Sequence, residues 1–163
     1  MAFAYLDHEQ QDNFIWALDK LRQLLVRDDY TPKVILTDRD LALMSAVGCV
    51  LPTTYIMLCK FHLEKNMYAK VKKLVRDDKQ DAVKDAWQGV VHSCDQVEYK
   101  QCLKYFEIVC SEFHVLVEYV KNTWLNDHKE KFVVVWTNRV MHMGNTTTNR
   151  SVWSLFFTEN MKK

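Results

Sequence analysis

Two carboxylates stand where an apolar run of residues ends and a short helical pattern begins. Asp38 directly follows Lys33–Thr37 (KVILT), and Asp40 comes two residues later. In open α/β sheets, ligands bind beyond the carboxyl ends of the strands, and a carboxylate there suits Mg²⁺ or Mn²⁺, which prefer oxygen ligands. An Asp in front of a helix also commonly caps that helix. Both roles can hold at once, with Asp40 as the cap and Asp38 at the site.

A Cys-x-x-His pair, Cys59 and His62, follows the next apolar run. Thiolate and imidazole both bind zinc, but a zinc site needs two further ligands. His92 and Cys94 form the nearest pair of suitable chemistry, although their spacing matches no zinc finger that we can name. The alternative interpretation is a buried thiol beside a histidine at the start of a helix, so the pair alone is a weak signal for zinc.

A basic helical stretch comes directly after this pair. Its cations are candidates for contact with the phosphates of nucleic acid, although lysines on an exposed helix face are more often only solvated. The five cations are Lys65, Lys70, Lys72, Lys73 and Arg76.

The composition excludes several classes of protein. Apolar residues make up 48% of the 163 residues and the net charge is only +1, which describes a globular chain in which any basic patch is local. No apolar run approaches the roughly 20 residues of a membrane span, and the first ten residues do not read as a signal peptide. Five cysteines without framework spacing favour reduced thiols, most of them buried as small apolar residues. No Gly-rich phosphate loop and no G-x-S-x-G elbow occurs, which argues against serine and cysteine hydrolases.

Predicted strands and helices alternate along the first third of the chain, and they position these residues. Short apolar runs predict strands at Ala2–Leu6, Lys33–Thr37 and Thr54–Cys59, and three-to-four spacing of apolar residues predicts helices at Gln10–Val26 and Asp40–Val47. This order predicts α/β layering with parallel pairing between the later strands.

The remainder of the chain reads as mainly helical. Periodicity predicts helices at Leu63–Arg76, Lys79–His92, Val97–Trp124 and Lys129–Met141, although the FVVVW core of the last one also suits a strand. Gly144–Asn149 reads as a loop. We expect this helical part to be an insertion or extension packed on the sheet, since no linker between independent domains is visible.

The string from Val34 to Asn66, VILTDRDLALMSAVGCVLPTTYIMLCKFHLEKN, resembles the MULE (Mutator-like element) transposase domain. The resemblance rests on the apolar strand with Asp38, the short helix, and the strand ending in Cys59-x-x-His62. The preceding AFAYLDHEQQDNFIWALDKL resembles the strand and helix that come before in that family. Further along, WTNRVMHMGNTTTNR, ending at Arg150, resembles the segment before the family's last catalytic acid.

The resemblance implies part of a ribonuclease H-like fold. The chain then holds strands three to five of the sheet within residues 1–66, a helical insertion at 67–143, and a remnant of the final catalytic segment at 144–163. In the intact family, three acids (Asp, Asp and Glu) hold two Mg²⁺ or Mn²⁺ ions that cleave and transfer DNA strands. The second Asp corresponds to Asp38, and Cys59 and His62 lie close to that active site. Transposon-end DNA as partner, a homo-oligomer and a nuclear location follow from the same resemblance.

Two departures from the family pattern bear on activity. The chain opens at the third strand of the fold, so the first Asp is not in it. Asn149-Arg150 is followed by Ser151 rather than by the family's Glu, and no Glu occurs before Glu159. We therefore expect no productive metal binding and no cleavage by this chain alone. Loss of the two bridging strands also predicts an unpaired edge on Lys33–Thr37 and marginal stability.

Two other functions compete with a transposase fragment. The same domain occurs in domesticated relatives of the far-red-impaired-response type, so a non-catalytic DNA-binding or transcription-regulating protein fits the loss of acids equally well. An unrelated helical interaction protein with a small α/β cap is the third interpretation.

Overall fold

A computed structural model describes residues 5–25, 31–142, 144 and 146–147, together with the backbone of 154–156. The chain forms two compact units, one made of residues 1–59 and 141–163 and the other of residues 60–140. The predicted division at residues 66 and 143 stays a prediction. Within the described residues, no helix is both long enough and apolar enough to cross a membrane.

The fold is α/β and mostly helical. The first unit contains α1 (Gln11–Leu24), β1 (Val34–Thr37), α2 (Leu41–Val50), β2 (Tyr55–Leu58) and β3 (Ser154–Phe156). The second unit contains α3 (Lys60–Leu74), α4 (Gln80–His92), α5 (Gln96–Val109), α6 (His114–Val120), α7 (Asn126–His128) and α8 (Val134–Thr137). A single 3₁₀ turn precedes α4, a π turn at Lys121–Leu125 follows α6, and another 3₁₀ turn follows α7.

The sheet has the order β2-β1-β3. Strands β1 and β2 pair in parallel over their full length, with Val34 opposite Tyr55 and Thr37 opposite Leu58. The Thr54 hydroxyl donates a 2.7 Å hydrogen bond to the Pro32 carbonyl oxygen, which ties together the chain just before the two strands. The predicted parallel pairing of the later strands is therefore confirmed.

The core of the first unit lies where α1 and α2 pack on one face of the sheet. Phe14 and Leu18 of α1 meet Ile35 of β1 and an apolar face of α2. The α2 members of this core are Leu43, Ala46, Val47 and Val50. Every residue of β1 is buried, as expected for a strand whose run of apolar residues is continuous rather than alternating.

The core of the second unit is built around Trp87 of α4, which is fully buried. Its ring lies 5.9 Å from that of Phe106 in α5 and 6.0 Å from that of Phe132. Trp124 completes the group with an edge-on contact to Phe132 at 6.4 Å. Tilted and edge-on arrangements at these separations are the favourable ones for aromatic pairs, so one aromatic cluster joins α4, α5 and the segment after α6.

The predicted single helix Val97–Trp124 is wrong. Helix α5 ends at Val109, the chain turns through Cys110–Phe113, and α6 begins at His114. The Phe113 amide donates to the Cys110 carbonyl oxygen at 2.8 Å, which closes the turn. No Gly or Pro marks the break, so the sequence lacks the usual signal for it.

The predicted helix Lys129–Met141 is also much shorter in the structure. Only Val134–Thr137 is α-helical, after a 3₁₀ turn at Lys129–Lys131. The Val135 amide donates 2.9 Å to the Ser93 carbonyl oxygen. This hydrogen bond joins the start of α8 to the turn before α5. The segment does not form a strand.

The expectation of an unpaired edge on Lys33–Thr37 is wrong. Strand β3 pairs antiparallel with β1 along that edge, with Ile35 opposite Leu155. Ala2–Leu6 lies mostly outside the described residues, and its described members Tyr5 and Leu6 are not in a strand.

Several other predicted features fall where little of the chain is described. Of the loop Gly144–Asn149, only residues 144, 146 and 147 are described. Asn149, Arg150 and Glu159 lie outside the described residues.

The expectation that most cysteines are buried is also wrong. Only Cys59 and Cys110 are buried, whereas Cys49 and Cys94 are exposed and Cys102 is half-buried. Burial raises the pKa of the Cys110 thiol to about 12, so this thiol stays protonated and behaves as a small apolar group. Cys49 lies on α2, and Cys94 lies in the turn between α4 and α5.

Two leucines of α2 offer a matched test of this core. Leu43 is 2% exposed and Leu41 is 57% exposed. We expect Leu43→Ala to lower the free energy of unfolding by about 2–5 kcal/mol, because it removes buried methyl groups and leaves a cavity. We expect Leu41→Ala to change it by no more than about 0.5 kcal/mol. Urea unfolding followed by circular dichroism measures both, and equal losses would contradict the packing described.

Candidate functional site at the carboxyl edge of the sheet

The carboxylates of Asp38 and Asp40, which follow β1, make different contacts. Asp40 is the N-cap of α2, and its carboxylate accepts a 2.9 Å hydrogen bond from the Leu43 amide. Asp38 does not cap the helix. It is exposed, and it accepts a 3.3 Å hydrogen bond from the hydroxyl of the buried Thr37. The cap is therefore satisfied without Asp38, whose carboxylate is left accessible at the sheet edge.

The parallel register brings Asp38 and Cys59 to the same edge. Thr37, the last residue of β1, pairs with Leu58, the last residue of β2. The residues that follow them, Asp38 and Cys59, therefore lie at the same end of the sheet. The Cys59 amide still donates to the Thr37 carbonyl oxygen at 2.7 Å. Asp38 is exposed and Cys59 is 1% exposed. The structure thus places two of the sequence-predicted site residues side by side along the backbone.

His62 belongs to the first turn of α3. Its ring is half-buried and meets the Phe61 ring edge-on at 5.4 Å. Its Nδ1 atom is buried and has no hydrogen-bond partner in the described part of the chain. A buried ring nitrogen without a partner is destabilising by about 1–3 kcal/mol, so this nitrogen is an unsatisfied polar atom within the Cys-x-x-His motif.

His92 and Cys94 are held by contacts close to them in sequence. His92 Nδ1 lies 3.1 Å from the Gln88 carbonyl oxygen. The Cys94 amide donates 2.6 Å to a Glu98 carboxylate oxygen, and the Cys94 thiol lies 3.5 Å from the His92 carbonyl oxygen. Among the described residues, no three His, Cys, Asp or Glu side chains are grouped so as to hold a metal ion.

The cations of the basic helix fall into two groups. Three lysines of α3 are exposed and form no ion pair with any other described residue: Lys65, Lys72 and Lys73. Lys65 and Lys72 are seven residues apart and therefore lie on one face of the helix. These three ammonium groups are free to meet phosphate.

The other two cations are engaged within the protein. The Lys70 ammonium lies over the Tyr119 ring, 4.6 Å from its centroid. Arg76 forms ion pairs of 3.6 Å with Asp78 and with Glu112. Both contacts occupy their cations within the second unit, so Lys70 and Arg76 are weaker candidates for phosphate than the three exposed lysines.

Lys60 is a charged residue that the sequence did not single out. It follows Cys59 as the first residue of α3 and is only 8% exposed. Burial lowers the pKa of its ammonium group, and the nearby Glu64 carboxylate partly opposes that effect. A signal was present in the spacing, because Lys60 precedes the buried Leu63 and Met67 by three and seven residues and so shares their face.

The comparisons with known proteins bear on the first part of the chain. Residues 1–66 match the model of the family described as the MULE transposase domain. The match includes Asp38, Cys59, His62 and Lys65 and ends within α3. No curated protein and no solved structure matches the chain. The predicted resemblance to this family is therefore confirmed for residues 1–66.

The division of tasks between the two aspartates has a measurable consequence. We expect Asp40→Ala to lower the free energy of unfolding by about 0.5–2 kcal/mol, because the Leu43 amide loses its cap. We expect Asp38→Asn to change it by less than about 0.5 kcal/mol, because this residue caps nothing and the amide oxygen still accepts from Thr37. Urea unfolding of both variants at pH 7 provides the comparison. An Asp38→Asn loss as large as that of Asp40→Ala would show that both carboxylates are structural.

Proposed function

We propose that this chain is part of a Mutator-like DNA transposase whose intact form cleaves and transfers DNA strands with the help of divalent metal ions. The observation that carries the proposal is the position of Asp38 in the matched domain. Its carboxylate is exposed at the carboxyl edge of two parallel strands, where α/β proteins bind their ligands. In this proposal, β1 and β2 are strands four and five of a ribonuclease H-like sheet.

The chemistry of Asp38 fits Mg²⁺ or Mn²⁺. A carboxylate is a preferred ligand of these ions, and the one hydrogen bond from Thr37 leaves acceptor positions on the Asp38 oxygens unused. Two bound ions would activate the attacking oxygen and stabilise the leaving oxygen of a phosphodiester. The role of Asp38 is to hold such an ion at a fixed place beyond β1.

Asp38 by itself does not complete a two-metal site. The family uses three acids, and among these 163 residues only Asp38 corresponds to one of them. We therefore propose that this chain does not bind the metal ions productively and does not cleave DNA alone. Zinc at Cys59 and His62 is a weaker proposal, supported by the unpartnered Nδ1 of His62.

Contact with DNA is the part of the proposed function that this chain can perform without the other acids. Lys65, Lys72 and Lys73 present three exposed charges directly after the matched domain's Cys-x-x-His motif. Exposed lysines that neutralise phosphates supply most of the sequence-independent affinity for DNA. The proposed partner is transposon-end DNA, with a nuclear location and a homo-oligomeric state as further parts of the proposal.

The same lysines also support the second candidate function. A domesticated DNA-binding or transcription-regulating protein needs the exposed cations and the fold but not the catalytic acids. Cleavage and binding therefore have to be tested separately.

The cleavage experiment uses supercoiled plasmid incubated with the purified chain in Mg²⁺ or in Mn²⁺. We expect no nicking above that of a protein-free control, because a lone carboxylate cannot hold both ions. The Asp38→Asn variant is the matched control for contaminating nuclease. Metal-dependent nicking by the unmodified chain that disappears in Asp38→Asn would contradict the proposed inactivity and would establish a complete site.

The binding experiment compares two double variants that remove the same charge. Lys65→Gln with Lys72→Gln is expected to weaken binding to a short duplex and to reduce the slope of log affinity against log salt by about two, roughly one per phosphate contact. Lys100→Gln with Lys104→Gln, exposed on α5, is expected to leave the slope unchanged. Equal effects of the two pairs would place the DNA contact elsewhere than on α3.

A further inference from the structure

Helix α5 carries a row of large apolar side chains on its solvent side. Val97, Tyr105 and Ile108 are each more than half exposed. They lie on one side of α5, because the steps from Val97 to Gln101, then to Tyr105 and then to Ile108 are each of three or four residues. A single exposed apolar residue is ordinary, whereas several on one side of a helix are typical of an interaction site.

Two lysines lie beside this apolar row. Lys100 and Lys104 are exposed and form no ion pair with any other described residue. The carboxylates of α5 are engaged by local contacts: Glu98 accepts a hydrogen bond from the Cys94 amide, and Glu107 pairs with Lys121 at 2.6 Å. The free charge along the row is therefore positive. Together these residues form the α5 face: Val97, Lys100, Lys104, Tyr105 and Ile108.

Helix α1 carries the complementary chemistry. Trp16 is more than half exposed, on the side of α1 away from the buried Phe14 and Leu18. Asp12 and Asp19 lie four residues before and three residues after Trp16, and so they share its side of the helix. Both carboxylates are exposed and have no ion-pair partner in the part of the chain that the structure describes. These three residues form the α1 face: Asp12, Trp16 and Asp19.

The net charges of the two faces are opposite. Lys20 also lies beside Trp16, and its ammonium group donates a 3.5 Å hydrogen bond to the Gln23 side-chain oxygen. Two aspartates against one lysine still leave this side of α1 negative, whereas the α5 face is positive. Two copies of the same face would bring like charges together, which is unfavourable. The electrostatics therefore favour contact between one α1 face and one α5 face.

We propose that the α5 face of one copy of this chain binds the α1 face of a second copy. Trp16 packs against Tyr105 and Ile108, and the aspartates beside it pair with Lys100 and Lys104. Large aromatic side chains are enriched at protein interfaces, and the contact joins different surfaces of the two copies, which makes the interface heterologous. This inference rests on the homo-oligomer of the proposed function, which it deepens by naming the surfaces that meet.

Charge reversal on each face provides the first test, by sedimentation velocity of the full chain over a range of protein concentrations. We expect the unmodified chain to self-associate reversibly. Lys100→Glu with Lys104→Glu, and separately Asp12→Lys with Asp19→Lys, are each expected to weaken self-association at least about tenfold, because like charges then face each other. A mixture of these two variants is expected to associate again, because the acidic α5 face of one meets the basic α1 face of the other.

A matched control reverses two exposed lysines away from both faces. Lys33→Glu with Lys79→Glu is expected to leave self-association unchanged. A chain that stays monomeric at every concentration overturns the proposal, and so does self-association that survives either reversal or a mixture that does not associate. If a double reversal prevents folding, as judged by circular dichroism, Lys104→Glu and Asp19→Lys replace it with the same expected directions.

The apolar part of the interface has its own test. Ile108→Ser is expected to weaken self-association at least about tenfold, as truncation of a central interface residue does. Leu41→Ser, which changes a comparably exposed residue of α2, is expected to leave it unchanged. Equal effects of the two variants overturn the proposed contact.

A short DNA duplex then distinguishes failure of this inference from failure of the proposed function. If the reversals and their mixture behave as expected but the duplex does not bind, the interface stands and the DNA partner is wrong. If the duplex binds through Lys65 and Lys72 while the reversals leave self-association unchanged, the DNA function stands and the proposed interface is wrong.

Discussion

The parallel pairing of β1 with β2 is the constraint on which the first unit depends. A parallel pair shifted by one residue would turn every side chain to the opposite face, and would separate Asp38 from Cys59. Two hydrogen bonds at the ends of the paired strands hold the register, from Thr54 to Pro32 at one end and from Cys59 to Thr37 at the other. The same few hydrogen bonds therefore fix both the packing of β1 in the core and the position of Asp38 beside Cys59.

Much of the first unit could be predicted because its local signals agree. The apolar run of β1, the spacing of Phe14 and Leu18, and an Asp placed to cap α2 all indicate the same layered arrangement. The sequence also indicated that Asp38 stands at a strand end. Whether that carboxylate holds a metal ion stays a prediction, since a single carboxylate after a strand is compatible with several roles.

The features that the sequence did not reveal depend on long-range contacts. The pairing of β3 with β1 joins residues more than a hundred positions apart, which periodicity cannot report. The break between α5 and α6 carries no Gly or Pro, and Cys110 on its own reads as a helix residue. Lys60 was missed because a lysine in a helical pattern is normally assigned to solvent, whereas this one takes the place that helical spacing gives to a core residue.

The separation of tasks between Asp38 and Asp40 has a consequence for how this domain changes over generations. Asp40 maintains the start of α2, whereas Asp38 contributes an exposed carboxylate that the fold does not use for capping. Substitutions at residue 38 leave the cap of α2 in place, whereas substitutions at residue 40 remove it. Sequence change at residue 38 is therefore not limited by the stability of α2.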